Sequence, residues 1–168
     1  TLYDCLVYNN TGPIAPVGVA PIYNCTVVRN SGGKGLYYVK NAYNSIVLDN
    51  NDNTFDSNNV VSNCCVSTVP AVGSNNIVTN SAFFVDPVAA DFRLRKTSPC
   101  LDAGNAAYVG GAPLAGRTDF LGRPRLQGAG LDIGAVEGET TGFSASAQGT
   151  GSGTLSPQGD WPMPGTLP

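Results

Sequence analysis

The sequence predicts an all-β fold, a parallel β-helix solenoid of about 20-residue coils with a C-terminal cap and a Gly/Ser/Pro-rich tail. Three observations carry this. With 21 Gly and 12 Pro among 168 residues, and no stretch with apolar residues at helical spacing, the chain has little room for helices. The first half repeats itself at a shift of 20 residues. From Ala82 the repeat gives way to a different text. These divisions give coils over 1–81, a cap over 82–138 and a linker-like or anchor-like tail over 139–168.

The repeat is visible in three copies: Leu2-Tyr3-Asp4-Cys5-Leu6-Val7-Tyr8-Asn9-Asn10, Ile22-Tyr23-Asn24-Cys25-Thr26-Val27-Val28-Arg29-Asn30 and Ala42-Tyr43-Asn44-Ser45-Ile46-Val47-Leu48-Asp49-Asn50. A fourth, shifted by about one residue, runs through Val61-Ser62-Asn63-Cys64-Cys65-Val66. Partial alternation of apolar and polar residues, with β-branched Val, Ile and Thr, predicts a short strand in each copy. Gly, Pro, Asn and Ser clusters between copies predict turns, and Leu36-Tyr37-Tyr38-Val39 a further strand. Such a unit cannot bury a face alone, so successive copies must stack.

Stacking puts equivalent residues about 4.8 Å apart. It makes inward columns of Cys5, Cys25 and Ser45 and of Val7, Val27 and Val47. Asn10, Asn30 and Asn50 fall at one turn, where Asn tolerates left-handed backbone; they read equally as plain turn formers or as a structural ladder of amides bonding up the stack. Tyr3, Tyr23 and Tyr43 form another column, which reads as filling of a coil face or as a sugar-stacking surface.

The second half runs Phe83-Phe84-Val85-Asp86-Pro87, Asp91-Phe92-Arg93-Leu94, Ser98-Pro99-Cys100-Leu101-Asp102-Ala103-Gly104, Asp119-Phe120-Leu121-Gly122-Arg123-Pro124-Arg125 and Asp132-Ile133-Gly134-Ala135-Val136-Glu137. This succession resembles the C-terminal end of the choice-of-anchor Q domain proteins, bacterial surface and secreted right-handed parallel β-helix proteins. The resemblance covers roughly residues 1 to 138. It implies a right-handed solenoid at the cell surface or outside the cell, an end cap and a variable anchor, and it implies no single activity. Such proteins carry a leader and earlier coils, so a chain opening at Thr1 within a coil reads as the C-terminal part of a longer one. The cap residues read as structural: Asp102 accepting backbone N–H bonds in a tight turn, and Arg123 and Arg125 pairing with Asp119 and Asp132. Covering the open strand edges at the solenoid end is the role expected of them.

Five Cys and no His leave no zinc pattern and no His-dependent triad. Cys65, facing away from the inward Cys64, is the candidate partner of Cys100 in a disulfide tying cap to coil; Cys64–Cys100 and Cys5–Cys25 stay open as alternatives. Asp49, Asp52 and Asp56, among several Asn, are hard oxygen ligands of the kind calcium prefers, though the segment also reads as a solvated loop between coils. Were calcium held there, Arg29, Lys34 and Lys40 are the nearby bases a polysaccharide lyase would use. No cofactor other than calcium is expected.

Nine basic against twelve acidic residues give a net charge of −3, which argues against a nucleic-acid partner. No apolar run is long enough to span a membrane as a helix. The partners expected are other copies or upstream coils stacking on the open N-terminal end, and a polysaccharide. The tail from Phe143 to Trp161 is expected to pack on the solenoid or a neighbour. Together these features predict a secreted or cell-surface structural or adhesive module. The alternative is the C-terminal part of a carbohydrate-active enzyme, either a lyase or a glycoside hydrolase.

Overall fold

The structure, a computed structural model, describes residues 1–11, 21–31, 41–51, 55, 57–111 and 113–138. The Leu36–Val39 strand, Lys34, Lys40, Asp52, Asp56 and the tail lie outside these residues. The described residues are all-β and contain no helix; eleven short strands form two parallel sheets and one antiparallel hairpin.

The first sheet is built from β1 (Leu2–Tyr3), β3 (Ile22–Tyr23), β5 (Asn41–Tyr43) and β7 (Val60–Ser62). The second is built from β2 (Leu6–Tyr8), β4 (Thr26–Val28), β6 (Ile46–Leu48), β8 (Cys65–Val66) and β9 (Ile77–Val78). Register follows the repeat, Leu2 beside Ile22, Ile22 beside Ala42 and Ala42 beside Val61. A fifth, shorter rung, unread in the sequence, places Ile77 beside Cys65 and Val78 beside Val66. This rung passes close to β7 at Gly73, where φ is +118° and a Cβ would lie 1.8 Å from the Val61 carbonyl oxygen, so only glycine fits.

Each rung turns from the first sheet into the second at a residue with left-handed backbone: Asp4, Asn24, Asn44, Asn63 and Asn75. Asx side chains tolerate that conformation best after glycine, which explains the column. A second left-handed column, Asn9, Arg29 and Asp49, follows the second sheet. This corrects the expected place of the left-handed turn: it lies one residue before Asn10, Asn30 and Asn50, whose side chains are aimed along the stack.

Ile22, Ala42 and Val61 from one sheet meet Val27, Val47 and Val66 from the other in a dry core, with Cys25 and Cys64 at the corner. Fully burying each of these Ile and Val side chains stabilises the fold by about 1.5–3 kcal/mol. The second sheet is also buried on its other face, since every residue of β4 and β6 is buried. There Val28, Ile46, Leu48 and Cys65 pack against Ala82, Phe84, Phe92, Leu94, Cys100 and Ile133. A parallel sheet covered on both faces reads as continuous apolar runs, hence Thr-Val-Val and Ile-Val-Leu in place of strict alternation.

Residues 82–138 therefore lie along the flank of the second sheet, in place of the end cap expected of them. They open with a hairpin of β10 (Phe84–Asp86) and β11 (Asp91–Leu94). Phe92 reaches Tyr8 of the first rung, ring to edge at 5.1 Å. The last rung keeps Val78 49% exposed. The physical reason is the apolar outer face of the second sheet, which Phe84, Phe92, Leu94 and Ile133 cover from water.

Candidate functional site

Three groups of side chains are candidates: the columns of the stack, the polar core where the flank meets the first rungs, and the cysteines.

In the turn column, the Asn10 amide donates to Asn30 Oδ1 at 2.8 Å and the Asn30 amide to Asn50 Oδ1 at 2.8 Å. The same oxygens accept the backbone N–H of Asn10 and Asn30, each at 3.1 Å. Asn30 and Asn50 also donate to Val7 and Val27 carbonyls one rung back. Beside this ladder runs an open polar groove of 560 Å³ lined by Asn9, Arg29, Asn30, Ser31, Asp49, Asn50 and Asn51. It offers amides, one carboxylate and one guanidinium. Asp49 is the part of the expected calcium set within the described residues, and among those residues no group of three or more His, Cys, Asp or Glu can hold a metal.

The tyrosine column is a continuous stack. Tyr3 and Tyr23 lie 5.2 Å apart at 15° and Tyr23 and Tyr43 5.1 Å apart at 18°. The next rung has Ser62 at this place, and Tyr108 of the flank enters the gap to stack on Tyr43 at 4.8 Å. Arg117 sits over the Tyr3 ring, 5.2 Å from its centre, and the Tyr3 hydroxyl donates to the Gly110 carbonyl. One loop thus brackets the stack between an aromatic ring and a guanidinium, each such contact worth about 0.5–1.5 kcal/mol. The ring faces are occupied by one another, which leaves Tyr23 and Tyr43 no face for a sugar.

The flank is anchored by long-range polar contacts. Asn44 Oδ1 accepts the Asn105 N–H at 2.8 Å and its amide donates to the Asn105 and Tyr108 carbonyls. Gly134 N–H donates to the Asn44 carbonyl and Ala135 N–H to Thr26 Oγ1. At Gly134, φ is +111° and a Cβ would meet Ile46 Cδ1 at 2.7 Å and Thr26 Oγ1 at 2.9 Å, so the Ile-Gly-Ala run approaches the sheet as only glycine allows.

Arg125, fully buried, lies between Glu137, 3.2 Å from its Nη1, and Asp4 of the first rung, 3.4 Å from its Nε, and it donates to the Gly134 carbonyl. Arg117 pairs with the same Asp4. The expected Arg123–Asp119 pair forms at 3.5 Å. Arg125 meets Asp132 only through its backbone carbonyl, at 3.4 Å, because the Asp132 carboxylate accepts the N–H groups of Asp102 and Gly138. Asp102 has left-handed backbone and its carboxylate accepts the N–H of Ala129 and Gly130. Burial pushes Asp132 above the usual carboxylate range and Glu137 up to about 8. All these groups hold backbone and one another, which is a supporting arrangement. Asp4 went unnoticed in the sequence; the signal was its carboxylate at a place where the other copies have Asn24 and Asn44.

All five cysteines are free thiols. Cys5, Cys25 and Cys64, with Ser45, form a hydrogen-bonded column: each side chain donates to the carbonyl two residues back, and Ser45 Oγ accepts the Cys25 N–H. The hydrogen bond with Cys25 lowers the Cys5 thiol to about 6, and burial pushes Cys64 up to about 12. Cys65 and Cys100 meet in the buried cluster under the flank, where their mutual hydrogen bond raises the Cys65 thiol.

No family model matches the chain, and neither a curated protein nor a solved structure shows significant similarity to it.

Proposed function

We propose that the chain is an extracellular or cell-surface structural and adhesive module, a right-handed parallel β-helix whose rungs join further rungs, either upstream coils or a second copy. The observation that carries this reading is the one-sidedness of the asparagine ladder. In Asn30 and Asn50, Oδ1 accepts both the N–H and the amide of the preceding rung. Asn10 Oδ1 accepts no hydrogen bond among the described residues, and Leu2, Cys5 and Val7 of the same rung are half-buried. An incoming rung finds a template of hydrogen bonds and apolar columns already in register. Arg117 over Tyr3 adds a condition: the joining residue there must be small, as Ser62 and Ser74 are in the last two rungs. A contact of this head-to-tail kind does not close on itself and builds filaments from separate copies.

The test is the intact mass and assembly state of native material, by mass spectrometry and size-exclusion light scattering, with hydrogen exchange of the first rung. Assemblies of the 17.3 kDa chain, or a longer chain in which the amides of 2–10 are as protected as those of 22–30, support the reading. A monomer whose first-rung amides exchange freely overturns it.

A further inference from the structure

We propose that the cleft between the β10–β11 hairpin and the Asp119–Arg123 turn binds the acid groups of an anionic polysaccharide. The cleft has a volume of 280 Å³ and is lined by Val85, Arg93, Leu94, Arg95, Lys96 and Arg123. Its cations stand beside exposed Val85, and Leu94, whose side chain is buried in the core, closes its base. Two of the cations are fixed by carboxylates: Arg93 Nε and Nη2 donate to Asp91 at 2.8 and 2.6 Å, and Arg123 pairs with buried Asp119. Arg95 is held against the hairpin by donating to the Val85 carbonyl at 2.9 Å. Among the described residues neither Arg95 nor Lys96 has a carboxylate partner, and both are exposed. A chain with a net charge of −3 thus gathers positive charge in one concavity, which focuses the field on an anion.

The amount of charge decides the class of anion. Adsorption to an anionic membrane takes clusters of about 4–8 Lys or Arg, and tight nucleic-acid binding takes about 6–10 phosphate contacts. Two uncompensated cations beside an exposed apolar side chain fit one or two sugar units, whose C–H face lies on Val85 while a carboxylate or sulfate meets Arg95 and Lys96. The cleft uses only flank residues, so it is independent of whether rungs join end to end.

The test is fluorescence anisotropy of labelled dextran sulfate and polygalacturonate with the full chain at physiological salt. Neutral dextran, phosphatidylserine vesicles and single-stranded DNA run alongside. The expected result is saturable binding of an acidic polysaccharide, weakened roughly tenfold or more by combined Arg95→Ser and Lys96→Ser and unchanged by Arg29→Asn on the polar groove. The substituted side chains are exposed, and an unchanged circular dichroism spectrum checks the fold. Absence of saturable binding, affinity undiminished in the double variant, or preference for vesicles or DNA overturns the proposal.

Discussion

The stack and its flank are held together by opposite means. In the stack, each rung repeats the contacts of its neighbour: Val on Val, Tyr on Tyr, amide on amide. In the flank almost every anchoring contact is unique and reaches far along the chain, as in Arg117 with Asp4 or Asn44 with Asn105. Redundancy spreads stability thinly over many equivalent bonds. Uniqueness concentrates it in a few buried polar residues, so the flank is the more brittle region although it has the more irregular sequence.

The strongest way to break this comparison is Arg125→Ala. It leaves Glu137 without its guanidinium and Asp4 with Arg117 alone, and is expected to cost about 3–5 kcal/mol, measured by denaturant unfolding. A cost under about 1 kcal/mol would mean that the flank does not depend on its ionic core.

A smaller effect tests the stack. Asn30→Ala removes amide bonds to both neighbouring rungs and is expected to cost about 2 kcal/mol, against less than about 1 kcal/mol for Asn10→Ala at the end of the ladder. Equal losses at the two positions would show that the ladder is not additive along the stack.

A third effect is a slope with pH. Glu137 titrates near 8 in the folded chain, against an ordinary 4.5, because it is buried. Between those values the unfolded chain gives up a proton that the folded one keeps, so this residue's contribution to stability falls as pH rises and is fully lost above about 8. Melting temperature is expected to drop from pH 5 to pH 8.5 more in the parent than in Glu137→Gln, the difference isolating this residue from the thiols. A parent and variant with parallel slopes would place Glu137 in a wetter, better-paired setting than its burial indicates.

Much of the stack was legible beforehand. Tyr, Val and Asn recurring every 20 residues reveal strands, turns and register together, because identical side chains stack only when their rungs align. The inward place of Cys64 and the opposite facing of Cys65 followed from the same alignment. The fifth rung was missed because it carries only a short echo, Asn75-Asn76-Ile77-Val78 after Asn63-Cys64-Cys65-Val66, at a shorter spacing than the earlier copies. In the flank, Asp102 was readable as a carboxylate that accepts backbone N–H groups, although it takes them from Ala129 and Gly130 and not from its own turn, and of the two ion pairs expected from nearness in sequence only Arg123–Asp119 forms.

The amino-acid order by itself determined an all-β fold and the four rungs that share its repeat, since these depend on local propensity and on a recurring period. Only the tertiary structure decided that residues 82–138 lie along the flank, that Arg125 leaves nearby Asp132 for Asp4 and Glu137, and that Tyr108 fills the place left by Ser62. Those contacts join segments that share no period. Their partners are chosen by which buried faces and charges remain to be covered once the rungs have stacked.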